Sequence, residues 1–197
     1  TGIDPAMIDE TIFGCVGQPV DAANVARVIA LRAGVPAKVP AITVHRNCAS
    51  GLEALTQAHE KMCAGRGEIF LVGGTESMSN YPLLYTKTAA EKFAKLGRAK
   101  SFGEKLSALA AFRLADFNPR ITLQLGLTDP VCGMGMGDTA ELLANEMGLS
   151  REEQDAFALE SHQRAAAAKA KLAEEICPVF PTLASGKSTK PVTADNG

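Results

Sequence analysis

Thr43-Val-His-Arg-Asn-Cys-Ala-Ser-Gly-Leu-Glu53 is the stretch that decides the fold. The β-branched, apolar residues 39–44 predict a strand, and residues 49–64 predict a helix. Cys48 therefore stands at a strand-to-helix turn, where it would project from the carboxyl edge of a parallel sheet. A helix N-terminus also stabilises a thiolate through its unpaired N–H groups and its dipole. The small residues Ser50 and Gly51 leave room for a substrate, so Cys48 is a candidate nucleophile rather than a buried structural cysteine.

The flanking segments alternate between strand and helix patterns. Residues 11–16 form a short apolar run, and Asp21 is a plausible N-cap for a helix over about 25–32. Residues 68–73 form a continuous apolar run that is typical of a strand buried on both faces. The resulting order, βαβαβ, predicts an α/β fold with a mainly parallel sheet. In the helix over 49–64, one face carries four larger side chains, namely Leu52, Leu55, His59 and Met62, and Gly65 ends the helix.

The chain becomes largely helical and locally basic after Gly74. Residues 86–120 carry eight Lys or Arg against three Asp or Glu, with helical patterns over 88–96 and 104–117. These charges are either solvated helix faces or a lid that presents positive charge to an anionic ligand. Residues 138–141 resemble a capping box before a helix closed by Gly148, and a second capping box at Ser150 opens a long helix to about residue 175. Residues 176–181 predict a new strand.

Composition excludes several classes of protein. The 197 residues are 46% hydrophobic and 21% charged, a composition typical of globular proteins. The net charge of −2 disfavours a role in nucleic-acid binding. No apolar run approaches the roughly 20 residues of a membrane span, and no signal peptide is visible. Five cysteines without Cys-x-x-Cys spacing argue against a zinc site and a disulfide scaffold. We therefore expect no metal, a cytoplasmic location, and thiols that are mostly small buried hydrophobes.

Four motifs resemble the thiolase family, and they occur in the family's order. They are Asn-Cys-Ala-Ser-Gly-Leu at 47–52, Gly-Gly-Thr-Glu-Ser-Met-Ser at 73–79, Met-Gly-Asp-Thr-Ala-Glu at 136–141, and the helical segment 150–165. The resemblance implies a thiolase-like α/β half whose largely helical loop domain is an insertion. It implies a catalytic domain over 1–80 that lacks its first strand, a loop domain over 81–175, and a truncated return strand over 176–197.

The resemblance also implies an activity. Thiolases cleave 3-ketoacyl-CoA or condense acetyl-CoA, and Cys48 would be the nucleophile that forms the acyl thioester. Met136 and Gly137 would bind substrate, with Met136 lining the tunnel for pantetheine, and the basic stretch would cover CoA. No cofactor beyond CoA thioesters is implied. The complete protein would be a homodimer or homotetramer, with a hydratase–dehydrogenase subunit as a possible partner.

Departures from the family pattern qualify this reading. Gly135 stands where thiolases usually have His, and His45 stands near Cys48 as either a base or a structural residue. The Asn-Glu-Ala-Phe, Gly-His-Pro and Cys-x-Gly-Gly-Gly type motifs of the family's C-terminal half do not occur in these 197 residues. We therefore expect the chain to be incomplete at both ends, and poorly soluble and inactive alone. Two alternatives stay open: a ketoacyl synthase-like condensing enzyme, and a non-catalytic acyl-CoA-binding module of the same fold.

Overall fold

The computed structural model describes residues 2–181 and 189–195. The chain divides into two units, one extending to Thr128 and one beginning at Asp129. The domain boundaries predicted after residues 80 and 175 remain predictions. Within the described ranges, no helix is both long and apolar enough to cross a membrane.

A three-stranded parallel sheet forms the centre of the first unit. Its strands are β1 (Glu10–Gly14), β2 (Ala41–Val44) and β3 (Phe70–Gly74), in the order β2-β1-β3. The register pairs Gly14 with both Val44 and Gly74, so the three strands end level at the carboxyl edge. The predicted βαβαβ arrangement with a parallel sheet is confirmed.

Two helices cover opposite faces of this sheet. Helix α1 (Val25–Arg32) contributes Ala30 to a cluster with Val35, Val39 and Leu71, while α2 (Ser50–Cys63) contributes alanines to a cluster with Ile12 and Val72. Leu71 and Val72 are neighbours in β3, and successive strand residues point to opposite faces. The core therefore has two apolar layers, one on each side of the sheet.

The face of α2 that packs on the sheet is not the one that carries the larger side chains. Ala54 and Ala58 are buried against β1 and β2, whereas Leu52, Leu55 and Met62 are 62%, 53% and 47% exposed. His59, on the face with the larger side chains, is exposed as well. The helix lies so close to the strands that only small side chains fit between them. Strand β3 is also half-buried rather than buried on both faces.

The N-cap of α1 is Asn24, and the assignment to Asp21 is wrong. The Asn24 Oδ1 atom accepts hydrogen bonds from the Arg27 backbone N–H at 3.2 Å and from the Thr43 hydroxyl at 2.8 Å. Its side-chain amide donates to the Ala41 carbonyl at 3.0 Å. Asn24 therefore caps the helix and ties it to β2 at once.

The remainder of the first unit is mainly helical, as predicted. It contains β4 (Leu83–Leu84), α3 (Lys87–Arg98), α4 (Phe102–Ala110), β5 (Arg120–Ile121) and α5 (Thr122–Gly126). The second predicted helix ends early, at Ala110, and a 3-10 turn follows over Leu114–Phe117. Four aromatic rings, one from α3 and three from the segments before α3 and after α4, pack together with ring centroids 4.9–6.0 Å apart: Tyr85, Phe93, Phe112 and Phe117.

The second unit contains α6 (Met136–Met147) and α7 (Arg151–Glu175). Gly148 ends α6 with a φ of 66°, and the capping box at Ser150 is confirmed, with the Ser150 hydroxyl accepting from the Glu153 N–H at 3.1 Å. The predicted strand after α7 is reduced to one antiparallel bridge between Val179 and Val192. Residues 182–188 and 196–197 of the predicted return strand lie outside the described residues.

Candidate active site

The turn that carries Cys48 is closed by a short set of hydrogen bonds. The Ser50 hydroxyl accepts from the Arg46 backbone N–H at 2.9 Å and donates to the Asn47 carbonyl at 2.6 Å. Asn47 takes a φ of 46°, in the left-handed region that asparagine tolerates better than most residues. The backbone thereby reverses between the end of β2 and the first residue of α2, and Cys48 lies exposed at this reversal.

Glycines let the start of α2 lie against the carboxyl edge of the sheet. A Cβ atom at Gly14 would overlap the backbone of Ser50, and one at Gly74 would lie 3.4 Å from the Gly51 Cα. The Thr75 N–H donates to the Gly14 carbonyl at 3.0 Å and holds the end of β3 in place. Close backbone approach at this edge therefore depends on the absence of a side chain at Gly14, whereas a Cβ at Gly74 would make only an ordinary van der Waals contact.

His45 and Arg46, which precede Cys48 in sequence, both contact nearby residues of the turn and of α2. The Nδ1 atom of His45 accepts a hydrogen bond from the Asn47 N–H at 3.3 Å. Arg46 forms an ion pair with Glu53, with Nε 2.6 Å from Oε2, although the Arg46 side chain is 68% exposed. These contacts give His45 a structural partner in the turn, while its predicted alternative role as a base stays a prediction.

A carboxylate binds the loop after β1 at the same edge. Glu76 accepts hydrogen bonds from the backbone N–H groups of Val16 at 2.9 Å and Gly17 at 2.8 Å. The Cys15 thiol lies 3.8 Å from its Oε1 atom, and the Tyr81 hydroxyl donates to the carboxylate as well. Burial raises the pKa of Glu76, but these four donors outweigh burial, so the pKa lies below its usual value.

Tyr81 lies beside this carboxylate and the loop after β1. Burial raises the pKa of Tyr81, and its hydrogen bond to Glu76 and the negative charge of Glu76 add to that rise. The pKa of the Cys15 thiol is raised too, first by burial and then by the charge of Glu76. The Tyr81 ring also lies over Gly17, where a Cβ atom would overlap it. Glu76 and Tyr81 thus both lie at the carboxyl edge, beside the loop after β1.

The other predicted substrate-binding residues lie in the second unit, at the start of α6. Gly135 is the N-cap, and the half-exposed Met136 and the exposed Gly137 are the first two helical residues. Asp138, predicted to cap this helix, is its third residue and accepts from the Gly135 N–H at 3.1 Å. Gly135, which stands where thiolases usually have histidine, is thus the N-cap of α6 and has an extended backbone.

The family description "Thiolase, N-terminal domain" matches residues 1–197, the full length of this chain. The chain belongs to the thiolase family. It is 38% identical to the 3-ketoacyl-CoA thiolase of Yersinia pestis (strain Pestoides F) over 168 residues, which cover 85% of this chain and 38% of that relative. It therefore spans well under half the length of the curated relatives that it matches.

Solved thiolase structures share the fold. The acetyl-CoA acetyltransferase of Bacillus anthracis superposes with a TM-score of 0.74 at 31% identity, covering 98% of this chain and 43% of that one. Human mitochondrial 3-ketoacyl-CoA thiolase in complex with CoA superposes with a TM-score of 0.73 at 29% identity, covering 98% and 44%. The predicted thiolase-like α/β fold is confirmed.

The basic stretch of this thiolase domain is mostly solvent-facing. Of its eight cations only Lys92 is half-buried, and it pairs with the buried Asp116 at 2.6 Å. The Lys92 hydrogen bond and the Arg113 N–H hold the pKa of Asp116 below its usual range. The other seven cations are exposed, as both the solvated-face and the lid interpretations require.

Sequence reasoning missed Glu76 and Tyr81. Glu76 was visible only as part of the Gly-Gly-Thr-Glu motif, two residues after a strand end, which was the available signal. The expectation that most thiols are buried is wrong, because Cys15 alone is buried and Cys48, Cys63, Cys132 and Cys177 are exposed. The described part of the chain holds no group of three or more His, Cys, Asp or Glu side chains placed to bind a metal ion.

Proposed function

We propose that the complete protein carrying this chain is a thiolase-type acyltransferase in which Cys48 accepts the acyl group. The observation that supports this most is the exposure of Cys48 at a tightly built strand-to-helix turn on the carboxyl edge of the sheet. Ligands of α/β folds bind at this edge. Membership of the thiolase family gives that position its chemistry.

The proposed reaction has two halves. The Cys48 thiolate attacks the 3-keto carbon of a 3-ketoacyl-CoA, the bond between carbons 2 and 3 breaks, and the leaving acetyl-CoA enolate takes up a proton. The acyl group remains on the Cys48 sulfur as a thioester. Free CoA then attacks this thioester as its thiolate, and Cys48 is released as thiolate. Two easier steps thus replace one difficult step, and the same residues support condensation in reverse.

The finer parts of the proposal concern the ligand and the assembly. Met136 and Gly137 would contact the pantetheine arm, and the exposed cations of 86–120 would favour the phosphates of CoA. No cofactor is required, because the thiol supplies the covalent chemistry. We include a homodimer or homotetramer, a hydratase–dehydrogenase partner in fatty-acid β-oxidation, and a cytoplasmic location, which exposed free thiols favour.

The test is single-turnover acylation of the complete protein with 3-ketoacyl-CoA in the absence of free CoA, followed by intact-mass measurement. The proposal expects a mass increase equal to the acyl group, lost in Cys48→Ser and retained in the matched control Cys63→Ser, whose thiol is also exposed. Ligand uptake without added mass would contradict the proposal and favour the acyl-CoA-binding alternative. We expect the 197-residue chain alone to show no turnover.

A further inference from the structure

Glu76 makes contacts that local structure does not require. It lies two residues beyond the end of β3, yet its carboxylate contacts the loop after β1. There it accepts hydrogen bonds from the Val16 and Gly17 N–H groups and lies beside the Cys15 thiol. Both carboxylate oxygens are used, because the Val16 N–H donates to Oε2 and the Gly17 N–H donates to Oε1. An amide could not accept at both positions, since one of its two heavy atoms is a donor.

The loop held in this way adjoins the nucleophile turn. Gly14, the last residue of β1, lies against the backbone of Ser50, and the Cys15 N–H donates to the Val44 carbonyl at 3.1 Å. Tyr81 completes the arrangement, because its hydroxyl binds Glu76 while its ring covers Gly17. A shift of the loop would therefore be transmitted to the start of α2 and to Cys48.

We infer that Glu76 is a positioning residue for Cys48, which it serves by fixing the loop over 15–17 against the turn between β2 and α2. It does not touch the reacting atoms. Its effect falls on the rate of the covalent step rather than on CoA binding, because displacements of about 1 Å cost as much as a hundredfold in rate. The activity readout of this inference rests on the proposed function.

Asp9 provides a matched control at the opposite edge of the same sheet. Its Oδ2 atom accepts from the backbone N–H groups of Glu68 at 2.7 Å and Ile69 at 3.0 Å, just before β1 begins. Asp9→Asn and Glu76→Gln both remove the charge of a carboxylate that accepts from two successive N–H groups. At Asp9 one oxygen takes both bonds and an asparagine Oδ1 keeps them, whereas Glu76→Gln loses one of two bonds made by separate oxygens. The two substitutions also differ in whether that interaction lies beside Cys48.

The experiment compares these variants of the complete protein in steady-state thiolysis. For Glu76→Gln we expect kcat to fall at least tenfold with KM changed less than twofold. Glu76→Asp, which keeps the carboxylate, should recover at least a third of the kcat, and Tyr81→Phe should lower kcat by about threefold to tenfold. Asp9→Asn should stay within twofold of the parent. An equal loss in Glu76→Gln and Asp9→Asn, or an unchanged kcat in Glu76→Gln, would overturn the inference.

A second readout is independent of thiolysis. Alkylation of Cys48 by iodoacetamide, followed by peptide mass spectrometry, should differ at least threefold between Glu76→Gln and Asp9→Asn, with the exposed Cys63 as internal reference. If the parent protein shows no thiolysis, the proposed function fails while this comparison still decides the inference. Equal Cys48 alkylation rates in the two variants would then overturn it.

Discussion

The Ser50 hydroxyl lies 2.6 Å from the Asn47 carbonyl oxygen and so closes the turn on which Cys48 is exposed. The same hydroxyl accepts from the Arg46 N–H, so one buried oxygen serves as both donor and acceptor. It supplies the acceptor for the Arg46 N–H, and it adds a second donor to the Asn47 carbonyl, which also accepts from the Ser50 N–H at 3.1 Å. The geometry of the nucleophile thus depends on a residue two positions away.

Removal of this hydroxyl should destabilise the turn. Ser50→Ala removes the acceptor of the Arg46 N–H, which costs about 1–3 kcal/mol in the free energy of unfolding, while the Asn47 carbonyl keeps its bond from the Ser50 backbone N–H at 3.1 Å. We also expect slower acylation of Cys48. Thr56→Ala is the control, because the exposed Thr56 hydroxyl bonds only the Glu53 carbonyl within α2 and its loss should cost less than about 0.5 kcal/mol. Chemical denaturation of both variants measures the difference, and equal losses would contradict the role given to Ser50.

Removal of the buried Thr11 hydroxyl should stabilise the protein, unlike removal of the Ser50 hydroxyl. Among the described residues it has no hydrogen-bond partner, although Thr11 is fully buried in the central strand. Thr11→Val keeps the shape and removes an unpaired polar group, so the protein should gain about 1–2 kcal/mol.

Thr43→Val is the counterpart of this substitution in the neighbouring strand. The Thr43 hydroxyl donates to Asn24 and accepts from the Ala26 N–H, so its loss should cost about 1–3 kcal/mol. Thermal unfolding of the two variants should shift the midpoint in opposite directions. A destabilised Thr11→Val protein would show that its hydroxyl is bonded after all.

Two glycines should respond oppositely to alanine. A Cβ at Gly17 would overlap the Tyr81 ring, so Gly17→Ala forces that ring to move and should destabilise by about 1–3 kcal/mol. A Cβ at Gly97 meets nothing within 4 Å inside α3, so Gly97→Ala should stabilise by about 0.5–1 kcal/mol through helix propensity. Shifts of the unfolding midpoint in the same direction for the two variants would contradict the packing of Tyr81 on Gly17.

Stability should fall in acid because of Asp9. The hydrogen bonds donated by Ile69 and Glu68 lower the pKa of Asp9 in the folded state, while burial opposes them weakly. A carboxyl with a depressed folded pKa contributes its full stabilisation above its unfolded pKa of about 4 and loses it as the pH falls through the lower folded value. Asp9→Asn should therefore show a shallower loss of unfolding free energy below about pH 4. A slope identical to that of the parent would refute the prediction.

The sequence predicts many of the strands and helices well because each is encoded locally. Apolar runs, the left-handed Gly148 and the capping box at Ser150 all act within a few residues. The sequence does not reveal which helix face is buried when the distance between helix and sheet determines it. Leu52 and Leu55 are larger than Ala54, yet only the alanine fits against the sheet. Glu76 escaped notice for the same reason, since its partners lie about 60 residues away in sequence and are brought near only by strand pairing.

The most direct test of the central claim is peptide mapping of the complete protein after it is mixed with 3-ketoacyl-CoA without free CoA. The account predicts one acylated peptide, containing Cys48, whose label is lost on addition of CoA with release of acyl-CoA. An acyl label on another cysteine, or bound substrate with no label at Cys48, would contradict the account.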